Sequence, residues 1–547
     1  MKNIYKYTKY LAAAAFGFVL SLLSGCVKDL DQYPHTDTTS KDVYTSVENY
    51  ESVLSGIYTS MIVNLSSISS DDRYQNYTRC LTMFQECSTD TIDDVWLSGE
   101  TMTDVSFQQW NAGDPWVSAM FYHIYNIVAL ANEFIRNASE DAISGFSDAD
   151  KAKIRIWRDE ARGLRALAYY HELDFFNVAS FVTENDGVGS YIPETYSRKQ
   201  LFGYIESELK ELGESLPSRN YGHFTKSTAN ALLARLYLNA EVYTGQAKWD
   251  ECIAACNKVL DDGYTTLAPS YASLFNADNS KRTEEIIFAL ACDAEHTVAW
   301  GAGTYLACAT RFDNYDDMLE EFGVSAYWNC LRVRPQIVDL FSDGDARAMF
   351  GSRNRKLYAD APDDFYEEPG DTKYKYQDRE KIISKHDDVT TGWQMNKWTN
   401  LTDAGEVASD TRVNGAKTDY PMFRLADVYL MLAEASLRGG TGARESALGY
   451  VNLVRERAFG GVTGDIAASD LTIDYILDER GRELYSEGVR RTDLIRFGKY
   501  TSGYNWNWKG GELDGKDVDK KYCLLPIPEA ELSANPGFKS YNAELGY

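Results

Sequence analysis

Apolar residues recur every three to four positions over much of this chain. Ala229, Leu232, Leu233, Leu236, Tyr237 and Ala240 fall on one helical face. After a short turn, Ile253, Cys256 and Leu260 form a second stripe. The pattern returns as Leu425, Val428, Tyr429 and Leu432, and again as Ala447, Val451, Val454 and Ala458. A further helix is predicted from about Trp157 to Phe176, with Ala161, Leu164 and Ala168 in step.

Helix pairs of this length, with small residues where they cross and glycine in the turn, resemble tetratricopeptide units. One such pair cannot bury its apolar face alone, so several should stack. The expected fold is therefore mostly α, with tetratricopeptide-like helix pairs forming a superhelical scaffold. Residues 265–415 break the pattern. Helical periodicity fades there, and Gly, Asp, Asn, Tyr and Trp become frequent. The segment is too aromatic for simple disorder. Long irregular segments inside a compact protein usually carry function. It reads as an irregular, loop-rich ligand-binding part laid on the scaffold.

The N-terminus has a different grammar. Lys2, Lys6 and Lys9 precede an apolar stretch from Leu11 to Leu23, followed by Ser24, Gly25 and Cys26. A basic start, a short apolar core and small residues at the cut form an export signal. A cysteine directly after the small pair resembles the bacterial lipobox, in which the thiol takes a lipid and becomes the first residue. A plain secretory signal containing a chance cysteine, or an uncleaved anchor, is the alternative. Residues 1–25 are thus read as a lipoprotein signal peptide and 26–42 as a polar, flexible tether. An N-terminal helical region, 43–264, and a C-terminal region, 265–547, follow. Later in the chain no run of about 18 apolar residues appears, so no further membrane crossing is expected.

The formal charge is −27, and residues 1–25 hold three lysines and no acid. Such a polyanion repels nucleic acid and anionic lipid, so a neutral ligand or a large protein partner fits better. Of nine cysteines, Cys80 and Cys87 can pair only if the chain between them turns back. Cys252 and Cys256, four apart on a predicted helix, read as core residues.

Enzyme motifs fail one by one. His171-Glu172 opens an HExxH pattern, but Phe175 stands at the second histidine's place. Gly301 and Gly303 start a GxGxxG that Leu306 ends. Asp313, Asp316 and Asp317 are of the type that holds Ca²⁺, but they match no EF-hand loop and read as a solvated acidic loop. No cofactor is predicted. The dense run Asp478-Glu479-Arg480-Gly481-Arg482-Glu483 has opposite charges at helical spacing and reads as ion pairs locking the scaffold.

Four stretches of the C-terminal half resemble consecutive signatures of the SusD/RagB family: PMFRLADVYLMLAEA (421–435), YVNLVRERA (450–458), LDERGRELYSEGVRRTDLIRFG (477–498) and LLPIPEAELSANPGF (524–538). DEARGLRALAYYHELDFF (159–176) is similar to a helix of the family's N-terminal half. YLNAEVYTGQ (237–246), GTYLACATR (303–311) and WNWKGGELDG (506–515) resemble segments of its starch-binding member. The resemblance implies a lipid-anchored, surface-exposed protein of the cell outer membrane of Bacteroidetes. It implies an oligosaccharide ligand, such as starch or maltooligosaccharide, and a SusC-like TonB-dependent transporter as partner.

The same resemblance implies an arc of aromatic side chains with a few polar partners. Trp328, in AYWNC, occupies one arc position, and Trp300, in AWGAGTY, falls where the starch binder has another aromatic. Arg79, in YTRCL, falls on a polar ligand contact. Trp96 is the nearest match to the third arc member, two positions out of register, and the amide contact after it has no counterpart. A sugar ring offers an apolar C–H face to a flat indole, and each such contact contributes ~0.5–1.5 kcal/mol beyond area burial. Non-catalytic capture of a glycan is the leading expectation. A tetratricopeptide-type envelope scaffold that binds no sugar, and a glycoside hydrolase, are the competing readings.

Overall fold

The computed structural model describes residues 43–95, 102–187, 189, 191–311, 318–538 and 540–547. The expected signal, Cys26 and the tether lie outside them, as do Trp96, Asp313, Asp316 and Asp317. By compactness the chain divides at Tyr50, and every element named below belongs to the unit Glu51–Tyr547.

Helices carry the scaffold. They are α1 (Tyr77–Thr82), α2 (Pro115–Asn137), α3 (Asp148–Phe175), α4 (Arg198–Ser215), α5 (Lys226–Leu238), α6 (Trp249–Asp261), α7 (Ala302–Cys308), α8 (Leu425–Leu437), α9 (Ala447–Phe459), α10 (Ile473–Leu484) and α11 (Arg490–Arg496). The predicted stripes of α5, α6, α8 and α9 are buried, except that Ala447 at the start of α9 is half-buried. Side-chain caps start the helices cleanly. Ser147, Ser197 and Thr225 each accept a hydrogen bond from a backbone N–H in the first turn of α3, α4 and α5.

Packing runs in sequence from α2 through α6, then jumps to α8, α9 and α10. The stack therefore continues across a long excursion of the chain. The strand Ile286–Leu290, near its start, pairs antiparallel with Tyr420–Arg424, which leads directly into α8. This strand pair stitches the irregular part to the helices. Within the excursion, strands are short. Leu331–Val333 pairs antiparallel with Ile92–Asp94, tying the excursion to the N-terminal half.

The run 478–483 does lock the scaffold. Arg480 bridges Asp427 of α8 and Asp493 of α11, both at 2.8 Å. Glu479 meets Arg347 at 2.7 Å and Arg482 at 2.8 Å. Glu483 meets Arg424 at 2.6 Å and also pairs with Arg457. Arg424 continues to Glu285 at 2.9 Å and Glu487 at 2.6 Å. All these groups are buried, so their charges are tolerable only because each meets opposite charge.

Cys80 and Cys87 do not pair. They lie on α1 and on the helical turn Met83–Cys87 that continues it, so the chain never turns back between them. Cys252 and Cys256 are buried in α6 as expected. His171 of the broken HExxH is buried against the Tyr77 hydroxyl, and burial pulls its imidazole down to about 4.

Candidate functional site

Trp300 and Trp328 come from two separate loops of the excursion and meet at the molecular surface. Their ring centroids are 5.6 Å apart and their planes 73° from parallel. Both are half-buried, and Tyr327 beside them is 45 % exposed. Val298, two residues before Trp300, is 43 % exposed. Two indole faces thus form an open corner rather than a core contact.

The bed beneath the corner is rigid. The loop into Trp300 is wound around Asp293, whose Oδ1 accepts hydrogen bonds from the backbone N–H of Glu295, His296 and Thr297 at 2.9, 2.7 and 3.1 Å. Burial works against the Asp293 charge, yet these donors and the His296 ring hold the carboxyl well below its usual range. Gly301 then approaches the Asn76 side chain so closely that any Cβ would collide with it. Gly303, the second residue of α7, faces the backbone carbonyl of Thr418 in the same way. The so-called GxGxxG start is therefore a packing device of this loop. The Ala302 N–H donates to Thr78 Oγ1 at 2.7 Å, which nests the start of α7 against the start of α1.

Trp328 is held from the other side. Its N–H donates to the Cys308 carbonyl at 3.0 Å, at the end of α7, while the Cys330 N–H donates to the Ala309 carbonyl at 2.9 Å. Asn329 between them has φ 57°, a left-handed conformation that asparagine tolerates better than most residues. Arg332 fixes that turn by donating from Nη2 to Asn329 Oδ1 at 2.6 Å.

Under the indoles lies a buried second layer. The Tyr305 ring of α7 sits 6.1 Å from Trp328, tilted 34°. Its hydroxyl donates to Asp94 Oδ2 at 2.9 Å, and burial together with that carboxylate raises the phenol well above its usual value. Arg79 of α1, the expected polar ligand contact, lies beneath the pair. It is only 4 % exposed, and its guanidinium lies 4.8 Å from the Tyr305 ring and 5.7 Å from the Trp116 ring. Burial opposes its charge, but Tyr305, Asp94 and Cys330 hold it above the usual arginine value. Arg79 thus packs against the aromatic layer from α1, whose residues are buried.

Trp96 lies outside the described residues. Val95, just before it, donates its N–H to the Cys330 carbonyl at 2.8 Å, two residues from Trp328. Tyr305, Tyr327 and Asn329 were not singled out from sequence. Tyr305 lies within the GTYLACATR stretch, and Tyr327 adjoins Trp328 in AYWNC, so each carried a local signal.

Known proteins agree with this architecture. Residues 284–547 match the SusD family model. The chain is 29 % identical to the starch-binding protein SusD of Bacteroides thetaiotaomicron, over 97 % of this chain and 98 % of that protein. It is 25 % identical to the SusD-like protein P25 of Formosa agariphila, over 95 % of this chain and 96 % of that protein. Among solved structures, surface glycan-binding protein A from Bacteroides uniformis superposes with a TM-score of 0.66 at 18 % identity, covering 90 % of this chain and 98 % of that one. The B. thetaiotaomicron surface glycan-binding protein A in complex with laminarihexaose gives a TM-score of 0.63 at 18 % identity, covering 89 % of this chain and 97 % of that one. Its C-terminal half is matched by the SusD family model, its whole length is similar to SusD, and its fold is that of these structures.

Proposed function

We propose that this protein is a non-catalytic, surface-exposed, lipid-anchored glycan-binding protein. It captures an oligosaccharide on the Trp300–Trp328 corner and passes it to a SusC-like TonB-dependent transporter in the outer membrane. The observation that carries the reading is the pair itself: two half-buried indoles at 5.6 Å, set 73° apart on a bed of buried hydrogen bonds. Flat faces at an angle suit a ligand that curves, and a helical α-glucan curves. The full-length likeness to a starch-binding protein favours starch or maltooligosaccharide over other glucans. Trp96, if it joins the corner, would extend the arc. The lipid at Cys26 would tether the protein and residues 26–42 would lift it off the membrane.

Weak binding follows from the physics. Two or three stacks of ~0.5–1.5 kcal/mol each, offset by ordering costs, correspond to micromolar to millimolar affinity. That range suits a protein that must release its ligand to a transporter.

Isothermal calorimetry against a glycan panel tests the reading. Saturable heat with maltooligosaccharide that disappears in Trp328→Ala supports it. Silence across the panel, with a transporter still retained on the immobilised protein, would leave only the scaffold role. Sustained release of reducing ends from the same glycans would make it a hydrolase.

A further inference from the structure

Arg198 opens α4 and lies in the wall of a cleft of about 820 Å³, lined also by Tyr500, Asp519, Lys520, Lys521 and Glu544. A second hollow of about 510 Å³ also has Arg198 in its wall and adds Lys199 and Tyr541. Neither shares a residue with the Trp300–Trp328 corner. Cleft volumes of this order are those of small-molecule sites.

Several buried guanidinium groups meet carboxylates, as Arg347, Arg424, Arg480, Arg490 and Arg496 do, whereas Arg311 and Arg379 donate to backbone carbonyls, and the half-buried Arg198 follows this second pattern. Arg198 has no carboxylate within ion-pair distance among the described residues. Its Nε and Nη1 donate to the carbonyls of Leu173 and Val242, both at 3.3 Å, and its guanidinium lies 4.7 Å from the Tyr243 ring. Nη2 makes no hydrogen bond among the described residues. Asp174 is near enough to act on it electrostatically but is already taken by Arg491 at 2.8 Å, Tyr243 at 2.8 Å and Gln85 at 3.0 Å. Burial, aided by the neighbouring Arg491, brings the Arg198 pKa below its usual value despite Tyr243, Asp174 and Tyr541.

The rest of the lining leans the same way. Lys520 is exposed and has no carboxylate partner among the described residues. Lys521 donates to the Gly546 carbonyl at 3.1 Å and meets no carboxylate within ion-pair distance among the described residues. Of the two acids, Asp519 spends one oxygen on the Lys521 N–H at 2.8 Å, and Glu544 is exposed. In a chain of net charge −27 this is an unusual concentration of unspent cations. Arg198 is half-buried, so its guanidinium is partly desolvated, and a bound anion would supply a counter-charge in the cleft.

We propose that this cleft binds a small molecule bearing an oxyanion, either carboxylate, sulfate or phosphate, with Arg198 Nη2 as the principal donor and Lys520 at the rim. The proposal is independent of the glycan reading and stands if the aromatic corner proves silent. Calorimetric titration of the full-length protein at low salt with D-glucuronate, sulfate and phosphate tests it, with neutral D-glucose as the control. At least one anion should give saturable heat that glucose does not, and the tightest of the three names the oxyanion. Charge-assisted hydrogen bonds carry enough energy that Arg198→Gln should weaken binding about tenfold or more. Lys520→Gln, on the exposed rim where it cannot disturb folding, should weaken it about twofold to fivefold. Trp328→Ala should bind the anion as the native protein does. Absence of heat with all three anions, or heat unchanged in both Arg198→Gln and Lys520→Gln, overturns the proposal.

Discussion

The Tyr305 hydroxyl donates to Asp94 Oδ2 at 2.9 Å, while the same ring lies 6.1 Å from Trp328 and 4.8 Å from the Arg79 guanidinium. One side chain thus couples the exposed indoles to the strand Ile92–Asp94 and to α1. Tyr305→Phe keeps the ring but removes the donor. Stability should fall by about 1–3 kcal/mol, the usual cost of leaving a buried acceptor short of a partner. Glycan affinity should fall only modestly, since the ring still supports Trp328. Urea unfolding and calorimetry on the same sample separate the two effects.

The indoles themselves should behave in the opposite way. Being half-buried at the surface, Trp300→Ala and Trp328→Ala should unfold within about 1 kcal/mol of the native protein, whereas core aromatic truncations cost about 3–5 kcal/mol. Each should weaken maltooligosaccharide binding at least several-fold. Quenching of tryptophan fluorescence by the sugar should diminish in both variants. Full binding in the double variant would remove the corner from the site.

Gly303 is where the bed admits no side chain. A Cβ there would run into the Thr418 carbonyl, which is backbone and cannot step aside cheaply. Gly303→Ala should cost about 1–3 kcal/mol through overpacking. Because α7 carries Tyr305 and follows Trp300 directly, the shift should also reach the corner. The thermal midpoint and the glycan dissociation constant should worsen together.

The buried ion network makes a pH prediction with a definite sign. Burial raises the cost of the Glu483 charge, but Arg457, Arg424 and Arg347 overcome it and hold the carboxyl at about 2, against an ordinary value of 4.5. Asp427, between Arg235 and Arg480, is likewise held at about 2 against 3.8. A folded-state value below the unfolded one means fewer protons bound when folded. The stabilisation is complete above the ordinary carboxylate values and is lost as pH falls from about 4 toward 2. Glu483→Gln should cost about 3 kcal/mol or more at neutral pH and flatten that acid limb. Thermal midpoints measured from pH 7 down to pH 2 check both statements.

Thiol chemistry provides a simple check on the interior. Eight cysteines in the described residues are free, and all but Cys523 are buried. Burial pushes the Cys80 thiol up to about 12, and Cys308 likewise to about 12. Native protein should react with a thiol reagent at Cys523 first and at the rest only on unfolding. Fast modification of Cys80 or Cys87 under native conditions would contradict the packing of α1.

The sequence by itself determined the helical scaffold. Stripes such as Ala229–Ala240 and Leu425–Leu432 are local signals, written at the period of the element they form, so they survive without tertiary information. The locking role of 478–483 was equally legible, because opposite charges at helical spacing already imply partners. What only the tertiary structure decided is where separate segments meet. Trp300 and Trp328 could be named from sequence, but their 5.6 Å approach depends on α7 lying between them. Arg79 is polar and sits in a recognisable motif, yet only the path of α1 through the interior sets its guanidinium against the Tyr305 ring. Arg198 gave no sequence signal at all, since an unpaired charge is defined by which carboxylates fail to reach it, and that is a property of packing rather than of spacing.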